Sequence, residues 1–181
     1  AWFVLKGNSG SISRRTQAIL LGFTSLFLAT FLFTPQPVSN DLYRYYWDGK
    51  LLAEGINPYA YPPDAVELAP HRDGYWTLIF NRDIPTGYPP LAEMIFAVSY
   101  RLSPHPWLLR LFAALGVLLT STFLMQALRI SGKDPRRVIL FAWSPLVILE
   151  FANSAHLDIF ALAFMGAALV LALRGKESGS A

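Results

Sequence analysis

The chain has 181 residues, 54% of them hydrophobic and 15% charged, with a mean hydropathy of +0.37; a soluble domain carries about 25% charged residues, so this is the composition of a membrane chain. The net charge of +3 and pI near 9.3 do not indicate nucleic acid, because the bases fall in short clusters between apolar runs, the pattern that orients membrane proteins. With no cysteine, the chain has no disulfide, thiolate nucleophile or cysteine metal site.

Arg14 and Arg15 precede an uncharged run that extends to Asn40. It is long enough to cross roughly 30 Å of hydrocarbon at about 1.5 Å per residue. No small-residue cleavage site follows it; Thr34-Pro35-Gln36-Pro37 does. Residues 16–34 are therefore expected to be a retained first span rather than a secretory leader.

Residues 35–106 form a long polar connection. Its part up to Tyr88 holds seven acids and four Lys/Arg. In "VSNDLYRYYWDGKLLAEGINPYAYPP", Ser39 or Asn40 can cap a helix over 40–54, and Gly55 and Pro58 end it. Tyr43, Trp47 and Leu51 make one stripe, expected to face lipid; Asp41, Arg44, Tyr45 and Asp48 make a polar face. "PPLAEMIFAVSYRLS" predicts a second interfacial helix over 89–103, its uncharged core too short to span.

Further spans are expected at 107–129, 138–152 and 156–174. The junctions at Lys6, Arg14 and Arg15, at Arg129 to Arg137, and at Arg174 and Lys176 are basic, so the positive-inside rule puts them in the cytoplasm and the acidic connection outside. The expected fold is a single all-α, polytopic membrane module with about four transmembrane helices and two interfacial helices in a long first extracytoplasmic loop.

Asp41 stands at the outer mouth of the first span. The plain reading is a first-turn acid favoured by the helix dipole, worth about 0.3–1 kcal/mol; its position beside basic and aromatic groups favours a reactive one. In "LEFANSAHLDIF", Glu150, His156 and Asp158 lie in or next to membrane-depth helices, where ionisable groups are rare and usually functional. Arg110, one turn inside the second span, either snorkels or meets a phosphate. Asp41, His156 and Asp158 are the candidate catalytic residues. Arg44, Asp48, Tyr88, Arg110, Glu150 and Asn153 are the candidate substrate contacts. His-x-Asp without a second spaced histidine is a weak metal pattern, and a hard divalent ion on carboxylates has no motif to support it. No glycine-rich phosphate loop is present.

Three segments, "SNDLYRYYWDGKLLAEGINPYAY", "TGYPPLAEMIFAVSYRL" and "WSPLVILEFANSAHLDIFALAF", resemble in content and order the GT-C superfamily of integral-membrane glycosyltransferases that use polyprenyl-phosphate sugars. The likeness covers residues 15–174 and is nearest to bacterial mannosyltransferase-like members. The layout is also similar to the catalytic mannosyltransferase of GPI-anchor synthesis. The resemblance implies a polyprenyl-phosphate sugar donor, a lipid or glycan acceptor, and a first-loop acid, matched by Asp41, acting as base at the extracytoplasmic face of a bacterial plasma membrane. It favours mannose. Where some relatives carry Asp-x-Asp, this chain has Ser39-Asn40-Asp41, which weakens a metal-binding role. Members are longer, so the chain matches an N-terminal portion. The competing readings are a transporter or lipid flippase, for which inverted repeats are missing, and a non-catalytic scaffold of the same fold.

Overall fold

The computed structural model describes residues 12–179, with side chains to residue 175. Lys6 and the side chain of Lys176 lie outside the described residues. Helices dominate, and no strand occurs among the described residues.

Helix α1, Arg14–Leu32, starts where the Ser13 hydroxyl accepts the Thr16 amide at 3.1 Å and ends before Pro35 and Pro37. Helix α2 is Asp41–Ala53 and α3 is Pro90–Leu102, the latter with proline at its first position, where no amide is needed. Helix α4 is Trp107–Ile130. Gly132 closes it with φ +65°, and the Lys133 amide returns to the Leu128 carbonyl at 2.8 Å. Helix α5 is Asp158–Gly179. The helices α1, α4 and α5 are long and apolar enough to cross a membrane.

The segment expected to be a third continuous span, 138–152, is broken. A 3-10 turn at Pro135–Val138 leads into one helical turn, Ile139–Ala142. Pro145 starts another short turn, and Ile148–Asn153 is wound as a π-helix. Pro145 has no amide hydrogen to continue the preceding ladder, which forces the interruption. The segment nevertheless retraces α1. Val138, Ile139 and Ala142 cluster with Leu20 and Met125. Trp143 donates to the Thr24 hydroxyl at 3.1 Å, and Asn153 to the Thr34 hydroxyl at 2.7 Å. From Leu20 to Leu32 is about 18 Å of helix rise, so the broken segment covers most of the depth of α1.

These contacts fix the directions. α4 runs against α1, with Arg110 beside Thr34 and Met125 beside Leu20. α5 runs alongside α4, with Ile159 against Gly116, Phe123 against Gly166 and Arg174 bonded to Gln126. Arg14 and Arg15, the bases from Arg129 to Arg137, and Arg174 therefore share one end of the bundle. The loop helices crown the other.

The crown differs from a simple interfacial layer. α2 packs on α3 so closely that a Cβ on Gly49 would sit 2.5 Å from the Phe96 carbonyl. Tyr43, Trp47 and Leu51 do not face lipid, as expected from sequence, but are buried with Leu68 and Ile79. The cover is the connection itself, whose 3-10 turns Val66–His71 and Gly74–Leu78 fold back over α2. Trp76 anchors that cover: its indole donates to the Pro63 carbonyl at 2.9 Å, and the guanidinium groups of Arg72 and Arg82 each lie over its ring at 4.4 Å. Burying the large stripe against protein satisfies the same hydrophobic demand that lipid would. α3, of 13 residues, rises about 20 Å and is too short to cross. It leaves Leu91, Met94, Val98 and Leu102 exposed along one face.

Candidate active site

Two short stretches are stitched together at the crowned end. Asn153 is buried; its side-chain oxygen accepts the Val38 amide at 2.6 Å, and its amide nitrogen donates to the Thr34 hydroxyl and the Gln36 carbonyl. Next to it the Ser154 hydroxyl accepts the Ser39 amide at 3.3 Å. The link between α1 and α2 is thus held onto the turn that precedes α5. Ala155 makes that turn at φ +58°. The amide group of Asn153, a candidate substrate contact, is engaged in positioning the link.

The stitching brings Asp41 and His156 together. His156 Nε2 lies 3.6 Å from an Asp41 carboxylate oxygen, and His156 Nδ1 lies 2.5 Å from Glu150 Oε2. The Glu150 carbonyl also accepts the His156 amide at 3.1 Å. A carboxylate only accepts hydrogen bonds, so Nδ1 carries the hydrogen and Nε2 faces Asp41. Asp41 is half-exposed, held at the start of α2 by a bond from its amide to the Ser39 hydroxyl. Asn40 does not cap with its side chain but donates to the Leu78 carbonyl, tying the cover to this corner. Asp158 opens α5 and is exposed; it approaches the same corner through Tyr45, whose hydroxyl lies in the fields of Asp41, Asp158 and Tyr88. Burial, then the neighbouring Tyr88 and Asp41, push the Tyr45 hydroxyl far up. Burial and the Asp41 and Asp48 carboxylates push Tyr88 up to about 12. Both phenols are neutral donors at any working pH.

Beside Asp41 opens a cavity of about 320 Å³, walled by Arg44, Asn81, Ile84 and Tyr88 among others. This is the lower end of the usual range for small-molecule sites, about 300–1,000 Å³. Arg44 and Asp48 do not turn to water. They form a buried pair one turn apart, with Nε 3.1 and 3.0 Å from the two carboxylate oxygens. The remaining guanidinium nitrogens donate to the carbonyls of Asn81 and Ile84 and so hold the cavity's far wall.

Sequence reading missed a buried acid behind this wall. Glu93 of α3 accepts the Thr86 hydroxyl at 2.8 Å, and its second oxygen is buried without a partner. Burial, then the nearby Asp48, raise its carboxyl from 4.5 to about 7; burial raises Asp48 from 3.8 to about 6 against the opposing pull of Arg44. The signal was present: a lone acid among the core-facing Ala92, Phe96 and Ala97 of α3.

Arg110 is not brought to Asp41. Its Nη1 donates to the carbonyls of Leu32 and Thr34, and it lines a separate cavity. Among the described residues no cluster of three His, Asp or Glu has the arrangement of a metal site. An apolar groove of about 540 Å³ runs between α3, α4 and α5, from Phe160 past Met94 and Leu115 to Phe123.

The whole chain, residues 1–181, matches the family model described as α-(1→6)-mannopyranosyltransferase, N-terminal domain. The chain belongs to this family. No curated protein and no solved structure matches it. The family is one of glycosyltransferases, so the expected enzyme class holds, and three apolar helices mark a membrane protein.

Proposed function

We propose that this chain carries the base-bearing corner of a glycosyltransferase that moves mannose from a polyprenyl-phosphate donor to an acceptor hydroxyl at the extracytoplasmic face of a bacterial plasma membrane. The observation that carries the reading is the line Asp41–His156–Glu150 at the crowned end of the bundle, beside a cavity of ligand size. Arg14 and Arg15, the bases from Arg129 to Arg137, and Arg174 lie at the opposite end, which supports an outward-facing site. The groove below Phe160, two residues after Asp158, supports a donor with a long apolar tail.

Asp41 takes the proton from the acceptor hydroxyl as its oxygen attacks the anomeric carbon. The bond from that carbon to the phosphate oxygen breaks, and the electron pair leaves with the polyprenyl phosphate. One displacement inverts the anomeric centre, so an α product requires a β-linked donor. The acceptor proton on Asp41 then passes to His156 Nε2, whose other nitrogen is held by Glu150. This transfer restores the base. The neutral phenol of Tyr88, on the cavity wall, can donate to sugar or phosphate oxygens there. Family membership favours mannose and an acceptor 6-hydroxyl.

The test is sugar transfer in proteoliposomes with a radiolabelled polyprenyl-phosphate mannose. Asp41→Asn is expected to lower turnover about 10²-fold or more with insertion and thermal stability unchanged. Glu150→Gln is expected to lower turnover less, because it loosens the imidazole without removing the base. Near-normal transfer by folded Asp41→Asn protein removes Asp41 from the chemistry.

A further inference from the structure

Across α2 from Asp41 lies a second cavity, of about 470 Å³. No residue lines both. Leu42 and Tyr43 face this one while Asp41 and Arg44 face the other, as expected for positions 41 and 43, about 200° apart on a helix. Its floor is Arg110, only 4% exposed. Nη1 donates to the Leu32 and Thr34 carbonyls at 3.2 and 2.6 Å and reaches the Thr34 hydroxyl at 3.4 Å. Nε is buried and has no partner, and among the described residues no acceptor meets Nη2. Among the described residues no carboxylate pairs with Arg110.

A guanidinium that faces only neutral groups has no counter-charge, and buried charges are ordinarily paired. The carbonyls at the end of α1 offer about half a charge and engage one nitrogen. The rest of the fork lies at the edge of an open cavity. Its walls are aromatic: Tyr43 and Tyr75 stack at 5.9 Å, His105 stands edge-on to Tyr75 at 5.7 Å, and Trp107 closes one side. The cavity lies where α1 ends and α4 begins, the level at which a headgroup meets hydrocarbon, and Phe33 on its rim is 78% exposed.

We infer that the Arg110 cavity is a binding site for a phosphate ester, distinct from the Asp41 cavity. The free edge of the guanidinium receives two phosphate oxygens, the geometry for which arginine is suited. The aromatic walls cover the ester's organic part, and an alkyl chain leaves over Phe33. The site stands on its own geometry, so its failure leaves sugar transfer at Asp41 untouched.

The chain has no cysteine, so a single one reports locally. His105→Cys puts a thiol on the exposed rim, and Asp64→Cys, on the exposed cover, serves as control. Maleimide labelling in maltoside micelles is timed with dioctanoyl phosphatidylglycerol, dioctanoylglycerol or inorganic phosphate. The phosphatidylglycerol is expected to slow labelling at 105 at least several-fold and not at 64. In His105→Cys/Arg110→Gln the half-protecting concentration is expected to rise about 10-fold or more. Should Gln weaken the α1–α4 junction and prevent folding, Arg110→Lys, which keeps the charge but lacks the fork, is read instead and is expected to protect several-fold less well. Protection by inorganic phosphate alone keeps the anion site and assigns it to the free ion. Equal protection by dioctanoylglycerol, no protection at 105, or protection indifferent to Arg110 overturns the proposal.

Discussion

Glu93→Gln isolates the cost of the buried acid behind the cavity wall. The Glu93 carboxyl rises from 4.5 to about 7 in the folded chain, with burial the main cause and Asp48 the second. A raised carboxyl means the folded state holds its proton more tightly than the unfolded state. The stability this represents is therefore complete below about pH 4.5 and lost as pH rises through 7. The whole loss is roughly 3 kcal/mol, of which about 2–3 kcal/mol falls between pH 5 and 8. Gln keeps an oxygen for the Thr86 hydroxyl and carries no charge. The variant should match wild type at pH 5 and exceed it at pH 8. Thermal unfolding followed by tryptophan fluorescence in one detergent at both pH values provides the comparison. Because variant and wild type share every other ionisable group, the difference of differences belongs to Glu93 and the Asp48 it faces. An equal effect of the variant at both pH values, or wild-type stability relative to the variant that grows with pH, refutes the argument.

Gly49→Ala places a Cβ 2.5 Å from the Phe96 carbonyl and should destabilise by about 1–3 kcal/mol or more, whereas Gly22→Ala, with open space around it, should leave the melting temperature unchanged or raise it. Single cysteines at Asp64 and Lys133, both exposed and at opposite ends of the bundle, should label from opposite sides of the membrane in intact cells; labelling of both from outside would place them on one side and overturn the assigned topology.

Hydropathy and charge made the span-forming helices legible, because an uncharged run of this length has few other fates. The helices over 40–54 and 89–103 were legible from capping residues, Gly55 and Pro90. The burial of Trp47 was not, because a stripe of Tyr, Trp and Leu looks the same under lipid as under a folded loop. The cover depends on contact of Trp76 with Arg72 and Arg82, residues far from α2 in sequence. Arg44 and Asp48 read as a functional polar face, but their i, i+4 spacing also suits a pair, and depth under the cover decides for the pair. The acid and histidine of the site were named from their types. Their convergence rests on Asn153, which looks like a substrate contact in sequence and acts as a brace.

The break in the segment 138–152 is what lets Glu150 reach His156. On a continuous α-helix, residues six apart lie about 9 Å along the axis and about 240° around it, so their side chains leave in different directions. The π-wound turn at Ile148–Asn153, followed by the positive φ of Ala155, folds the chain back until His156 hydrogen-bonds to Glu150 through both backbone and side chain. Irregular backbone at this depth survives only where protein covers it, and here Ala152, Asn153, Ser154 and Ala155 are all buried against the start of the first loop. The same residues that satisfy the broken backbone fix the link carrying Asp41. A substitution that straightened this turn into regular helix would separate both halves of the site at once, the acid from the histidine and the histidine from the carboxylate that orients it.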